Sequence, residues 1–173
     1  MIRFLPYLLA MMALVLAGCG SSEFGPESVK GILEGAPVAL SGEQVTLTQG
    51  QLDCGVQSDL FDPPSGNMAR LTQKGRDLKF SDDIRLGDPD INVPYTQVTG
   101  TFPVRVSQVV KLRDGDPGRK LAEVKLGVVI NHECFGSPLR VMGIRKGKFT
   151  PDAPVVFQLK GVDKEWALDK LVH

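Results

Sequence analysis

The sequence predicts an α+β domain in which short N-terminal helices pack on a mainly antiparallel, curved β-sheet, with an all-β sandwich as the alternative. Three observations lead there. Residues 104–112 and 122–130 alternate apolar and polar on either side of Asp114-Gly115-Asp116-Pro117-Gly118, the pattern of two half-buried strands joined by a hairpin turn. Upstream, Thr48 and Gln51 match a capping box ahead of Leu52, Val56 and Leu60 at four-residue spacing, which is helix chemistry. Helical signals therefore precede strand signals, the order of an α+β domain.

The first helix is expected over 48–61, stopped by Asp62-Pro63-Pro64. Gly50 and Gly55 weigh against it at about 1 kcal/mol each relative to alanine, and Cys54 projects away from the Leu52 stripe. A turn at Ser65-Gly66-Asn67 leads to a second short helix over Thr72 to Leu78. In the first strand Val104, Val106, Val110 and Leu112 share the inner face, opposite Arg105, Ser107, Lys111 and Arg113, with Val109 the apolar exception. In the second, Ala122, Val124, Leu126, Val128 and Ile130 share a face opposite Glu123 and Lys125. The same period carries His132 and Cys134 onto that apolar face, which makes His132 a hydrogen-bonded core histidine rather than a ligand or base.

A second hairpin is expected at the end of the chain. Val155, Phe157 and Leu159 alternate, Gly161 to Lys164 can turn, and Trp166, Leu168 and Val172 share a face beyond. A helix from Asp163 competes, because Leu168, Leu171 and Val172 also fit helical spacing. The strand is preferred because the β-branched run before the turn needs a cross-strand partner. Helices followed by two long hairpins resemble, in element order alone, the cone-shaped domains of the nuclear-transport-factor-like and cystatin-like kind.

One positive residue, Arg3, precedes an uncharged, largely apolar run from Phe4 to Gly18 that ends in small residues before Cys19. That is the order of an export signal. Fifteen residues interrupted by Pro6 fall short of the ~20 that cross the hydrocarbon core as a helix. Leu16-Ala17-Gly18-Cys19 resembles the lipobox of bacterial lipoprotein precursors. The resemblance implies a signal peptide over 1–18, cleavage before Cys19, and a diacylglyceryl thioether on its sulfur, in many members with an acyl chain on the new amino group. Several chains anchor stably where one binds only marginally. It places the protein in the bacterial cell envelope and, because Gly20 is not Asp, at the outer membrane facing the periplasm in a Gram-negative cell. The competing reading is an ordinary secretory signal with Cys19 as a leftover thiol.

Residues 19–31, rich in Gly, Ser, Pro and Glu, read as a tether reaching on the order of 20 Å. A single domain is expected over 32–173. Loss of the signal leaves 155 residues with 19 Lys and Arg against 20 Asp and Glu, enough for one core and without the field that steers a protein to nucleic acid. With Cys19 lipidated, Cys54 and Cys134 remain to pair in an oxidising compartment. The 80-residue separation makes that bridge worth roughly 4 to 5 kcal/mol in the chain-entropy picture. No Cys-x-x-Cys exists to depress a thiol pKa, so the pair reads as structural.

Sites for chemistry are sparse. Asp88, Asp90 and Asn92 have the spacing that opens a calcium loop, but Val93 stands where Gly is required and Thr99 where a bidentate Glu should close it. His132, Glu133 and Cys134 are metal-ligand types whose alternation on a strand sends Glu133 to the opposite face, and terminal His173 adds no fixed partner; no metal site is expected. Asp82 and Asp83 diverge in the same way. Arg140, Arg145, Lys146 and Lys148 form the densest basic cluster, a candidate contact for an acidic partner or a charged hairpin facing water. No nucleophile with a base and no phosphate cradle is present, and no cofactor is expected. The expectation is a non-enzymatic, membrane-anchored envelope lipoprotein that binds another envelope protein and supports its assembly. The alternative is a small-ligand-binding periplasmic domain with its pocket between sheet and helices.

Overall fold

The computed structural model describes residues 24–163 and 165–172; the signal peptide over 1–18, Cys19 and His173 lie outside the described residues. Helix α1 (Pro26–Gly35) begins with proline in its first turn, where the missing N–H leaves no bond unmade, and buries Val29 and Leu33 completely. Residues 26–31 are thus helix where composition suggests a tether. Two apolar residues four apart make one buried stripe, and that outweighs the glycine and serine around them.

Strand β1 (Val38–Thr46) follows, then α2 (Gln49–Gln57), capped reciprocally by Thr48 and Gln51, β2 (Met68–Ala69) and α3 (Gln73–Asp77), capped by Thr72. Next come β3 (Ile84–Arg85), β4 (Tyr95–Phe102), β5 (Val104–Asp114) and β6 (Arg119–Val128). A 3₁₀ turn at Glu133–Phe135 precedes β7 (Leu139–Val141), β8 (Gly143–Arg145), β9 (Lys148–Thr150), β10 (Val155–Val162) and β11 (Glu165–Val172). Strand makes up 49% and helix 18%, so the domain is mostly antiparallel sheet with a few short helices, without a closed barrel. The expected order of helices and then strands is corrected: the helices are interleaved with strands.

The main sheet runs β11-β10-β6-β7-β1-β4-β3-β2, with β5 on the other side of β6. Along β6, Val128 and Gly127 pair with Leu139 and Arg140 of β7, and Val124 to Arg119 pair with Val155 to Lys160 of β10. β7 and β10 therefore lie on one line beside β6, interrupted by an excursion over residues 142–154 that contains the separate hairpin β8–β9. At that interruption the next lane forks. β1 pairs with β7 through Val45 and Thr46, while β11 pairs with β10 from Val156 to Val162.

Helix α1 packs on β5 and also touches β11, and the Glu34 carboxylate accepts the Val106 N–H at 2.7 Å. Two bulges in β5, beside Ser107 and Val110, each shift the alternation by one residue. Val109 therefore packs on the core and Val110 is 43% exposed, the reverse of the expected faces. β6 ends at Val128, so His132 and Cys134 sit around the 3₁₀ turn rather than on an extended strand: His132 Nδ1 accepts the Cys134 N–H at 3.2 Å, and Cys134 is buried. Cys134 is joined to Cys54 of α2 with Cα atoms 5.4 Å apart. One apolar core includes residues from Val29 to Leu159; a smaller cluster, Ile91, Tyr95 and Met142, fastens loop 86–94 against the start of the excursion.

Candidate functional site: an apolar cleft at the sheet fork

A cleft of about 370 Å³ opens where the lane divides. Its walls are Met142, Ile144 and Phe149 of the excursion, Val155 at the start of β10, and Leu171 and Val172 at the end of β11. Ser41, Gly42 and Glu43, at the bulge of β1, close the remaining side. Glu43 is buried, and its carboxylate accepts the Ser41 N–H. This inward acid occupies the stretch of β1 that has β4 on one side and no strand on the other.

The hairpin that roofs the cleft is built locally. Lys146 and Gly147 both have positive φ, 51° and 75°, as a two-residue type I′ turn requires. Ile144 and Phe149 are cross-strand partners and share the cleft face, 50% and 41% exposed. At its base a Cβ on Gly143 would lie 2.3 Å from the Pro154 carbonyl oxygen, so only glycine allows the two ends of the excursion to approach.

The basic cluster divides. Arg140 pairs with Asp152 at 3.4 Å, and Lys148 pairs with Asp90 at 2.7 Å. The Asp90 contact raises the Lys148 pKa, first through the hydrogen bond and then through its charge. Arg145 and Lys146, at the hairpin tip, have no ion-pair partner among the described residues. Both pairs leave their side chains more than half exposed, so each contributes little stability.

Asp88 and Asp90 are engaged in fastening loop 86–94. Asp88 accepts the Asp90 N–H and the Tyr95 hydroxyl, each at 2.8 Å, and these bonds hold its carboxyl below the usual aspartate range, the backbone bond most strongly. Burial, then the Asp88 contact, pushes the Tyr95 hydroxyl up. Among the described residues no three His, Cys, Asp or Glu side chains gather as a metal site would require. Asp83 accepts the Leu71 N–H at 2.9 Å and Asp82 pairs with Arg85 at 3.2 Å, so the adjacent acids act separately. Glu133 is exposed and Cys134 is bonded to Cys54.

The pocket is expected between sheet and helices; this cleft opens instead between strands and a hairpin. Its walls come from four separated segments, and Ile144 and Phe149 are the only local signal: two large apolar residues flanking a short basic turn. No family model matches the chain, and no curated protein or solved structure matches it either.

Proposed function

We propose that the protein is a membrane-anchored lipoprotein of the bacterial cell envelope whose domain is a non-enzymatic binding module, with the cleft at the sheet fork as its binding site. The anchor rests on the lipobox-like run ending in Cys19. The observation that carries the binding role is the cleft itself: concave, of small-ligand size and walled by aliphatic and aromatic side chains. This moves the small-ligand reading ahead of the partner-binding one. Native mass spectrometry of the protein released from its own envelope tests it, with a bound non-protein mass expected. An empty protein would remove the reading. Mass spectrometry of the mature N-terminus tests the anchor, and an unmodified Cys19 would remove it.

A second reading, docking of an envelope protein, is favoured by the hairpin tip, where Ile144 and Phe149 stand beside Arg145 and Lys146 without acidic partners among the described residues. Cross-linking in intact cells separates the two. One dominant protein cross-linked through residues 144–149 supports docking, and its absence leaves the ligand reading alone.

A further inference from the structure

We propose that the end of the domain that carries Phe24, Trp166 and Lys120 sits on the bilayer beside the anchor, so that the cleft at the sheet fork points away from the membrane into the aqueous compartment. This rests on the anchored-lipoprotein reading and names the surface that meets the lipid. Chain length is the first support. Helix α1 starts at Pro26, so residues 26–31 lend no slack, and Phe24 is held with its ring centre 4.8 Å from that of Trp166. Phe24 lies five residues beyond Cys19, and a fully extended chain of that length spans at most roughly 18 Å. The leash therefore keeps one particular end of the domain near the lipid.

Position in the sheet is the second. Trp166 pairs with Gly161 beside the β10–β11 turn, and the Gly161 N–H donates to the Gly118 carbonyl in the β5–β6 turn at 2.9 Å, so Phe24 and both turns share one end. Val172 pairs with Val156 at the other end of β11, about 20 Å along an extended strand, where Leu171 and Val172 line the cleft. Surface chemistry is the third. Phe24 and Trp166 are each partly exposed, and Lys120 Nζ lies 5.7 and 5.6 Å from their ring centres. Aromatic rings and lysine are the side chains that settle at the headgroup level of a bilayer. The neighbouring charges are paired, Lys120 with Asp114 at 2.7 Å and Arg119 with Asp116 at 3.7 Å, so those four groups bring no net charge for anionic lipid to repel. Arg145 and Lys146 at the hairpin tip are the competing surface for such lipid, and they stand at the cleft end, away from where the leash ends.

The test uses the lipidated protein released from its own membrane and reconstituted into vesicles of phosphatidylcholine and phosphatidylglycerol that carry a nitroxide on the lipid headgroup. Tryptophan emission is the readout, and Trp166 is the only tryptophan. Trp166 is expected to lose most of its emission to the nitroxide. In the double variant Trp166→Phe, Phe149→Trp the reporter stands in the cleft wall, at a position exposed enough for the variant to fold, and is expected to keep its emission. The double variant Trp166→Phe, Ile144→Trp reports on the same wall where the first does not fold.

Quenching of the cleft-wall reporter with Trp166 spared overturns the proposal in favour of a cleft that faces the lipid. Equal quenching of both reporters, or of neither, overturns it in favour of a domain that presents no fixed face. Mass spectrometry of the same preparation separates these results from failure of the anchor. An unmodified Cys19 removes the anchored reading and the proposal with it, whereas a lipidated Cys19 with either contrary pattern removes the proposal alone.

Discussion

Gly55 and Gly50 count equally against a helix in the sequence, and the structure separates them. A Cβ on Gly55 would lie 2.2 Å from the Phe61 ring, whereas nothing lies within 4 Å of the same atom on Gly50. Gly55 is there to admit a fully buried phenylalanine against α2. Gly55→Ala is therefore expected to destabilise the domain by about 1 to 3 kcal/mol, as overpacking does, while Gly50→Ala stabilises it by about 0.5 to 1 kcal/mol; urea unfolding of the two variants checks the opposite signs. Asp88 supplies a second prediction at this scale. Its carboxyl is held below the ordinary aspartate range in the folded protein. Its contribution is therefore fully present above that range and is lost as the pH falls through the depressed value. Protection against amide exchange in residues 88–94, measured relative to the intrinsic rate at each pH, should fall on acidification through that window. Asp88→Asn should exchange faster at neutral pH and lose most of that dependence.

Just ahead of helix α1 the chain meets β11 in a small aromatic junction. Phe24 lies 4.8 Å from Trp166, ring centre to ring centre, and Lys120 reaches over both rings at 5.7 and 5.6 Å. Lys120 also pairs with Asp114 at 2.7 Å, which lowers the Asp114 pKa, first through the hydrogen bond and then through charge. Trp166 is the only tryptophan, so its emission reports this contact. Phe24→Ala should shift the emission to longer wavelength and leave the far-ultraviolet circular dichroism of the sheet unchanged; an unaltered spectrum would show that Phe24 does not shield the ring. The elements differ in how openly the sequence declares them. Caps at Thr48 and Thr72 and the turn after Asp114 act through neighbouring residues, so their elements can be read locally. The alternation of β5 is broken by bulges set by pairing with β6, and β1 changes inner face at its irregularity between Ser41 and Glu43. Neither shift has a local cause, which is why Val109 and Val110 exchange faces and β1 escapes a period-two reading.

Across the whole molecule the Cys54–Cys134 bridge ties α2 to the turn before β7 over a sequence separation of 80 residues. Ser58 Oγ lies 3.3 Å from Cys134 Sγ, so the bridge is packed as well as covalent. Replacing both cysteines by serine is expected to cost roughly 4 to 5 kcal/mol at most, read as a lower urea midpoint and a steeper slope, because the unlinked unfolded chain is less compact. The cleft was not legible because no single segment contains it. Residues near 41, 142–149, 155 and 171 meet only once the sheet has forked, and a fork is a property of pairing rather than of any stretch of chain.

The excursion between β7 and β10 is also an inheritance mechanism. Both of its flanking strands are paired with β6, so residues 144–152, inside the close approach of Gly143 to Ala153 and Pro154, are expected to tolerate changes of length and composition without asking the sheet to refold. Descendants of this chain are expected to diverge first in that cassette, keeping their scaffold while altering the surface beside it.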